Sequence, residues 1–102
     1  MSEKKDSIRK TNREAVFRNT ASGQEFWAAN GLVIRNLNEL AGSFETMDEY
    51  TFSQHVNAEK NDFARWTSDV LNQHDLAEKL GKSKSLTEHH VQTLKHMVGL
   101  LK

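Results

Sequence analysis

Residues 55–70 of the chain read HVNAEKNDFARWTSDV, and we expect this stretch to be the central structural element of a small fold. Phe63, Trp66 and Val70 are spaced i, i+3 and i+7, which is the spacing of one apolar helical face. We therefore expect all three to point into the core, with the indole N–H of Trp66 hydrogen-bonded. The polar residues ahead of them are of the types that cap a helix or shape its approach: His55, Asn57, Asn61 and Asp62. The pattern predicts that Asn57 or Asn61 caps this helix and that its polar groups are structural.

Helical periodicity also precedes this stretch. Apolar residues recur at i, i+3, i+4 and i+7 from Leu37 to Phe44, with Asn36 placed to cap that helix. The sequence TMDE at 46–49 matches a capping box with Thr46 as the N-cap, and it predicts a short helix that ends near Val56. Phe52 and Val56 are four residues apart and should share its inner face.

Two further helices are predicted after the stretch. One begins at His74 or Asp75, directs Leu76 and Leu80 inward and ends at Gly81. The sequence SLTE at 85–88 is a second capping box and predicts the start of the last helix. That helix carries one apolar seam on alternating three- and four-residue steps, composed of Val91, Leu94, Val98 and Leu101. Because residues 26–80 alone form a thin core, packing of the seam within the domain is favoured; otherwise the seam is a surface for a dimer or a partner.

A β-hairpin is predicted ahead of these helices. Asn30-Gly31 lies between two apolar runs, and this dipeptide favours a type I′ turn because both of its central residues need positive φ. Neighbouring strand residues point to opposite faces, so Phe26 and Trp27 cannot both be buried. We expect Trp27 to be the exposed one. The fold class is therefore mainly α, with four or five short helices and a small N-terminal hairpin.

Composition and charge limit the classes of protein that fit. Residues 1–14 are charged and polar and predict a flexible basic tail, which leaves 15–102 as one small helical domain. The chain has no cysteine, no apolar run of about 20 residues and no apolar leader, so we expect a cytoplasmic protein without a thiolate metal site. Residues 1–20 and 81–102 each carry a net charge of +3, whereas residues 21–80 carry −6. This distribution is compatible with self-association.

Residues 26–80 resemble a family of small uncharacterised prokaryotic proteins, a domain of unknown function. The shared pattern combines an aromatic-led stretch with a Gly turn, a Leu-x-Glu-Leu segment and the run HVN…NDF..W..DV…LA. In this chain the pattern falls on Phe26, Gly31, Ile34, Leu37, Glu39, Leu40, His55, Val56, Asn57, Asn61, Asp62, Phe63, Trp66, Asp69, Val70, Leu76 and Ala77. The resemblance implies a helical fold and carries no activity, cofactor or substrate.

Histidine chemistry is the first functional hypothesis to weigh. His89 and His96 share a helical face but lie about 10 Å apart along the axis, too far to bind one metal ion together. His55 and Asp62 could form a histidine–carboxylate pair and, with Trp66, the centre of a ligand site or small enzyme. We expect neither a metal nor a cofactor, and no catalytic residue is assigned.

Two binding hypotheses remain open. The basic termini could follow a phosphate backbone through Lys4, Lys5, Arg9, Lys10, Arg13 and Arg18, but no aromatic residues are interleaved with them. The favoured hypothesis is a non-catalytic protein–protein interaction module, in one form a homodimer, without a membrane partner. Its candidate surface combines Trp27 with the Val91–Leu101 seam.

Overall fold

The computed structural model describes residues 12–102, and it is mainly helical with one small antiparallel hairpin. Residues 12–17 are helical and form α1. The remaining elements are β1 (Phe26–Trp27), β2 (Val33–Ile34), α2 (Leu37–Thr46), α3 (Glu49–His55), α4 (Asp62–Asp69), α5 (His74–Gly81) and α6 (Leu86–Leu101). The predicted fold class is confirmed. Residues 1–11 of the predicted tail lie outside the described residues, and residues 12–14 belong to α1.

Phe63 of α4 lies at the centre of an aromatic core. Its ring stacks on Phe26 of the hairpin at 4.8 Å between centroids and meets Phe44 of α2 edge-on at 5.0 Å. Trp66 is buried beside it, and its indole N–H donates to the carbonyl of Gln24 at 2.8 Å. The expectation for Phe63 and Trp66 is confirmed, while Val70 is half-buried at the edge of the core.

The helix starts test the capping predictions directly. Asn36 caps α2 through its side-chain oxygen, which accepts the Glu39 N–H at 2.8 Å, and Ser85 caps α6 by accepting the Glu88 N–H at 3.1 Å. The capping box at 46–49 is wrong in detail. Thr46 is the last residue of α2, and α3 is capped by Asp48, whose carboxylate accepts the Thr51 N–H at 2.7 Å. Hydrogen bonds from the side chain and backbone of Thr51 lower the pKa of Asp48.

The hairpin forms where predicted, but with another turn. Phe26 pairs with Ile34 and Trp27 pairs with Val33 in antiparallel register. The Gly31 N–H donates to the Ala28 carbonyl at 2.9 Å, and the Ala28 N–H donates to the Leu32 carbonyl at 2.9 Å, which closes a three-residue loop. Only Gly31 of the Asn-Gly pair has positive φ, at 89°, so the turn is not type I′.

The sequence also predicts where α4 begins and where α5 ends. Asn61, and not Asn57, caps α4, whereas Asn57 closes the preceding turn by accepting the Glu59 N–H at 2.9 Å. Gly81 ends α5 as predicted, without the positive φ of a left-handed cap. The apolar positions that periodicity selects in α2 and α5 are buried, including Leu76 and Leu80, but Ser43 and Thr67 are buried as well without being part of that pattern.

Candidate interaction surface

The last helix packs on the domain through a face formed by two polar residues and a methionine. His89, Thr93 and Met97 are its buried residues, spaced by four, and α6 rests with them against α2 and α5. Leu86 and Leu100 add partly buried apolar area beside this face. The residues that attach α6 to its own domain are therefore not those of the apolar seam.

The predicted seam lies on another side of α6 and is largely exposed. Leu94 is 42% exposed, Val98 is 51% exposed and Leu101 is 38% exposed, while Val91 is half-buried. Helix residues separated by three, four and seven positions share a face, so these side chains form one apolar stripe. We call this set the α6 stripe. It runs from Val91 to Leu101, ten steps along the helix or about 15 Å at ~1.5 Å per residue.

Trp27 is also exposed, at 68%, but it belongs to the hairpin and not to α6. Two tertiary hydrogen bonds hold β1 in place. The carbonyl of Gln24 accepts from Trp66, and the N–H of Ala29 donates to His55 Nε2 at 2.9 Å. The indole of Trp27 is thus presented on an anchored element while its neighbour Phe26 is buried.

His55 and Asp62 are brought together, as the sequence suggested, but as a structural pair. Because His55 Nε2 accepts the Ala29 N–H, the ring proton is on Nδ1, which donates to Asp62 Oδ2 at 3.1 Å. The ring packs against both Phe26 and Phe63, with centroids 5.1 and 5.2 Å away. Both ring nitrogens therefore form hydrogen bonds within the domain. This geometry favours the architectural interpretation of His55.

Asn61 is a hub between three helices that sequence reasoning found only in part. Its Oδ1 caps α4 by accepting the Ala64 N–H at 3.0 Å. Its Nδ2 donates to the Leu80 carbonyl at the end of α5, at 2.9 Å, and to Nε2 of His89 in α6, at 3.0 Å. The role as a cap was readable from the sequence, whereas the two donated hydrogen bonds depend on the packing of α5 and α6.

His89 is a buried polar residue that no pattern in the sequence places in the core. Its Nδ1–H donates to the Ser85 carbonyl at 2.9 Å, and its ring meets Phe52 edge-on at 4.9 Å. Burial lowers the pKa of His89, because desolvation outweighs the hydrogen bond to Ser85 and the charge of Glu88. The imidazole is therefore held neutral in one tautomer, with both nitrogens bonded.

His96 does not join His89 in a common site. Its Nε2 contacts Oε1 of Gln73 at 2.8 Å, at the start of α5. Burial, together with the charge of Lys79, lowers the pKa of His96. Within residues 12–102, no group of three or more His, Asp or Glu side chains is arranged to hold a metal ion.

The basic termini are only partly described. Lys4, Lys5, Arg9 and Lys10 lie outside the described residues, so the nucleic-acid hypothesis stays a prediction. Arg13 and Arg18 are exposed on and after α1, and Arg18 pairs with Glu14 at 3.2 Å. Among the described helices, none is both long and apolar enough to cross a bilayer.

Comparison with known proteins assigns no family. No family model matches the chain, and no curated protein or solved structure matches it. The resemblance of residues 26–80 to a domain of unknown function therefore stays a prediction, and the argument for function depends on the geometry of this chain.

Proposed function

We propose that the protein is a non-catalytic helical module that binds another protein through the α6 stripe. One observation carries the proposal: α6 is attached to its domain by His89, Thr93 and Met97, while a second, apolar face remains exposed. Exposed apolar side chains in single positions are ordinary, but a helical row of them bordered by polar residues is typical of a contact surface. The proposal includes the cytoplasmic location expected from the cysteine-free composition.

A site-specific cross-linking experiment in the native cell tests this proposal. The photoreactive residue p-benzoylphenylalanine is placed at Val98 in one version of the full chain and at Tyr50 in another. Tyr50 is the matched control because it is more exposed than Val98 but lies on α3, away from the stripe. We expect a discrete protein adduct from position 98 that position 50 does not form, and its loss when Leu94→Asn is added.

Two results would contradict the proposal. One is the same set of adducts from both positions, which indicates contact by random collision. The other is a position-98 adduct that persists unchanged with Leu94→Asn, because an apolar stripe that does not contribute to binding is not the contact surface. Far-ultraviolet circular dichroism of each variant checks that the helices are retained.

A further inference from the structure

One edge of the α6 stripe carries positive charge. Lys95 follows Val91 by four residues and precedes Val98 by three, and Lys102 follows Val98 by four. Residues three and four apart are neighbours on a helix surface, so the two ammonium groups border the same edge of the stripe. Both lysines are exposed, and neither forms an ion pair with any residue in the described part of the chain. We call these two residues the basic rim.

Little nearby negative charge compensates the basic rim. Glu88 is the only acidic residue between positions 81 and 102, and its carboxylate accepts a hydrogen bond from Gln92 at 2.6 Å. By contrast, the exposed Lys82 is paired with Glu78 of α5 at 3.1 Å. The stripe is therefore an apolar row with unpaired positive charge along one side.

A second α6 helix fits this surface poorly. In an antiparallel pairing of two α6 helices, equivalent edges face one another, so the basic rim of one copy would meet that of the other. In a parallel pairing, the rim would meet the opposite edge of the stripe, which continues into the buried face that carries Met97. The stripe is also small. A strip about 15 Å long and about 10 Å wide is well short of the ~800 Å² per partner in a standard stable interface.

We infer that the occupant of the α6 stripe is an acidic amphipathic helix of a partner protein, an inference that rests on the proposed function. Its apolar residues would recur at i, i+3 or i+4 and i+7, as in other contacts between two amphipathic helices, with Asp or Glu along the edge that faces Lys95 and Lys102. Residues 1–20 of this chain carry a net charge of +3 and so lack the complementary charge. The small area corresponds to a weak and reversible contact.

Binding of two designed peptides to the full chain tests the charge of the partner. Each is a fluorescent helical peptide of about 18 residues with leucine at i, i+3 and i+7. One has glutamate along one edge of the leucine row, and the other has lysine at the same positions. Fluorescence anisotropy at low salt should show at least about tenfold tighter binding of the glutamate peptide, since two attractive pairs replace two repulsive ones. That ratio should shrink as salt is added.

Charge reversal gives the matched control. The double change Lys95→Glu and Lys102→Glu should reverse the preference for the two peptides. Arg65→Glu introduces the same type of charge change on α4 and should leave the ratio unaltered, while Val98→Asn should weaken binding of both peptides.

The possible results separate the inference from the function on which it rests. Equal binding of the two peptides, or a preference that the double reversal does not change, overturns the acidic partner alone. Sedimentation that shows a dimer abolished by Val98→Asn, with no peptide bound, identifies a second copy as the occupant and also overturns it. If neither peptide binds, the chain stays monomeric and position 98 yields no adduct, both the inference and the proposed function fail.

Discussion

Replacing Asn61 with alanine should lower the free energy of unfolding by about 3 kcal/mol. The side chain makes three hydrogen bonds of 3.0 Å or less and a longer one, from Nδ2 to the Ser83 carbonyl at 3.5 Å. Loss of the helix cap at Ala64 costs about 1 kcal/mol. The Leu80 carbonyl loses one donor but keeps the Ser83 N–H at 3.0 Å, so its loss is no more than about 1 kcal/mol. Nε2 of buried His89 is left without a donor, which costs about 1–3 kcal/mol.

Two matched variants distinguish the role of Asn61 as a helix cap from its role in joining α4, α5 and α6. Asn61→Ser keeps an oxygen at the N-cap but removes both donated hydrogen bonds, so it should retain the cap and lose about 2 kcal/mol. Ser85→Ala removes a cap of α6 that makes no other contact of this type, and it should cost about 1 kcal/mol. The expected order of destabilisation is Asn61→Ala, then Asn61→Ser, then Ser85→Ala.

Urea unfolding followed by tryptophan fluorescence measures these differences, because Trp66 is buried in the folded state and exposed on unfolding. Each variant is compared at constant slope, so that a shift in midpoint reports stability alone. If Asn61→Ala costs no more than Ser85→Ala, then Asn61 acts only as a cap. The argument that it joins α4, α5 and α6 would then be wrong.

Three other changes test single features of the fold. The pKa of His89 is lowered from 6.5 in the folded state, so the unfolded chain binds the extra proton below pH 6.5. The free energy of unfolding should therefore fall by up to about 1.4 kcal/mol per pH unit as the pH drops. His89→Gln should flatten this dependence, and an unchanged slope of urea midpoint against pH would refute the prediction. Thr67→Val should stabilise the fold by about 1 kcal/mol, because the buried hydroxyl of Thr67 has no hydrogen-bond partner within the described residues. Thr93→Val removes a hydroxyl that is hydrogen-bonded to the His89 carbonyl and should not stabilise the fold. Equal effects of the two changes in thermal unfolding would contradict this prediction. Gly31→Ala should destabilise the fold by about 1 kcal/mol, because the φ of Gly31 is +89°. Gly42→Ala, in the open middle of α2, should stabilise the fold by about the same amount. A change in stability of the same sign for both variants would contradict this prediction.

Much of the architecture was predictable because it depends on short-range patterns. The three- and four-residue spacing of Leu37, Leu40 and Phe44 selects one helical face wherever that helix packs. The caps of α2 and α6 also depend only on residues close in sequence, because in each a polar side chain accepts a hydrogen bond from the backbone N–H three residues later. The cap of α3 was misplaced because TMDE offers both Thr46 and Asp48 as acceptors. Only the end of α2 at Thr46 decides between them.

The sequence identifies the residues of the candidate surface, but it does not show that the residues on α6 are exposed. The exposure of Trp27 follows from strand alternation, since its neighbour Phe26 is buried. For α6, the thin core of residues 26–80 favours packing of the apolar row within the domain, and this expectation is wrong because most of the row is exposed. The structure decides for exposure because the facing positions of α2 and α5 receive His89, Thr93 and Met97.

By itself, the sequence determined the helical class, the caps at Asn36 and Ser85 and the inward faces of four helices, because each depends on residues within about two turns of one another. Tertiary structure alone decided that a histidine belongs inside. A neutral imidazole can be buried only where a donor and an acceptor meet it, and Asn61 lies 28 residues away from His89. With His89, Thr93 and Met97 facing inward, most of the apolar row of α6 is left in solvent.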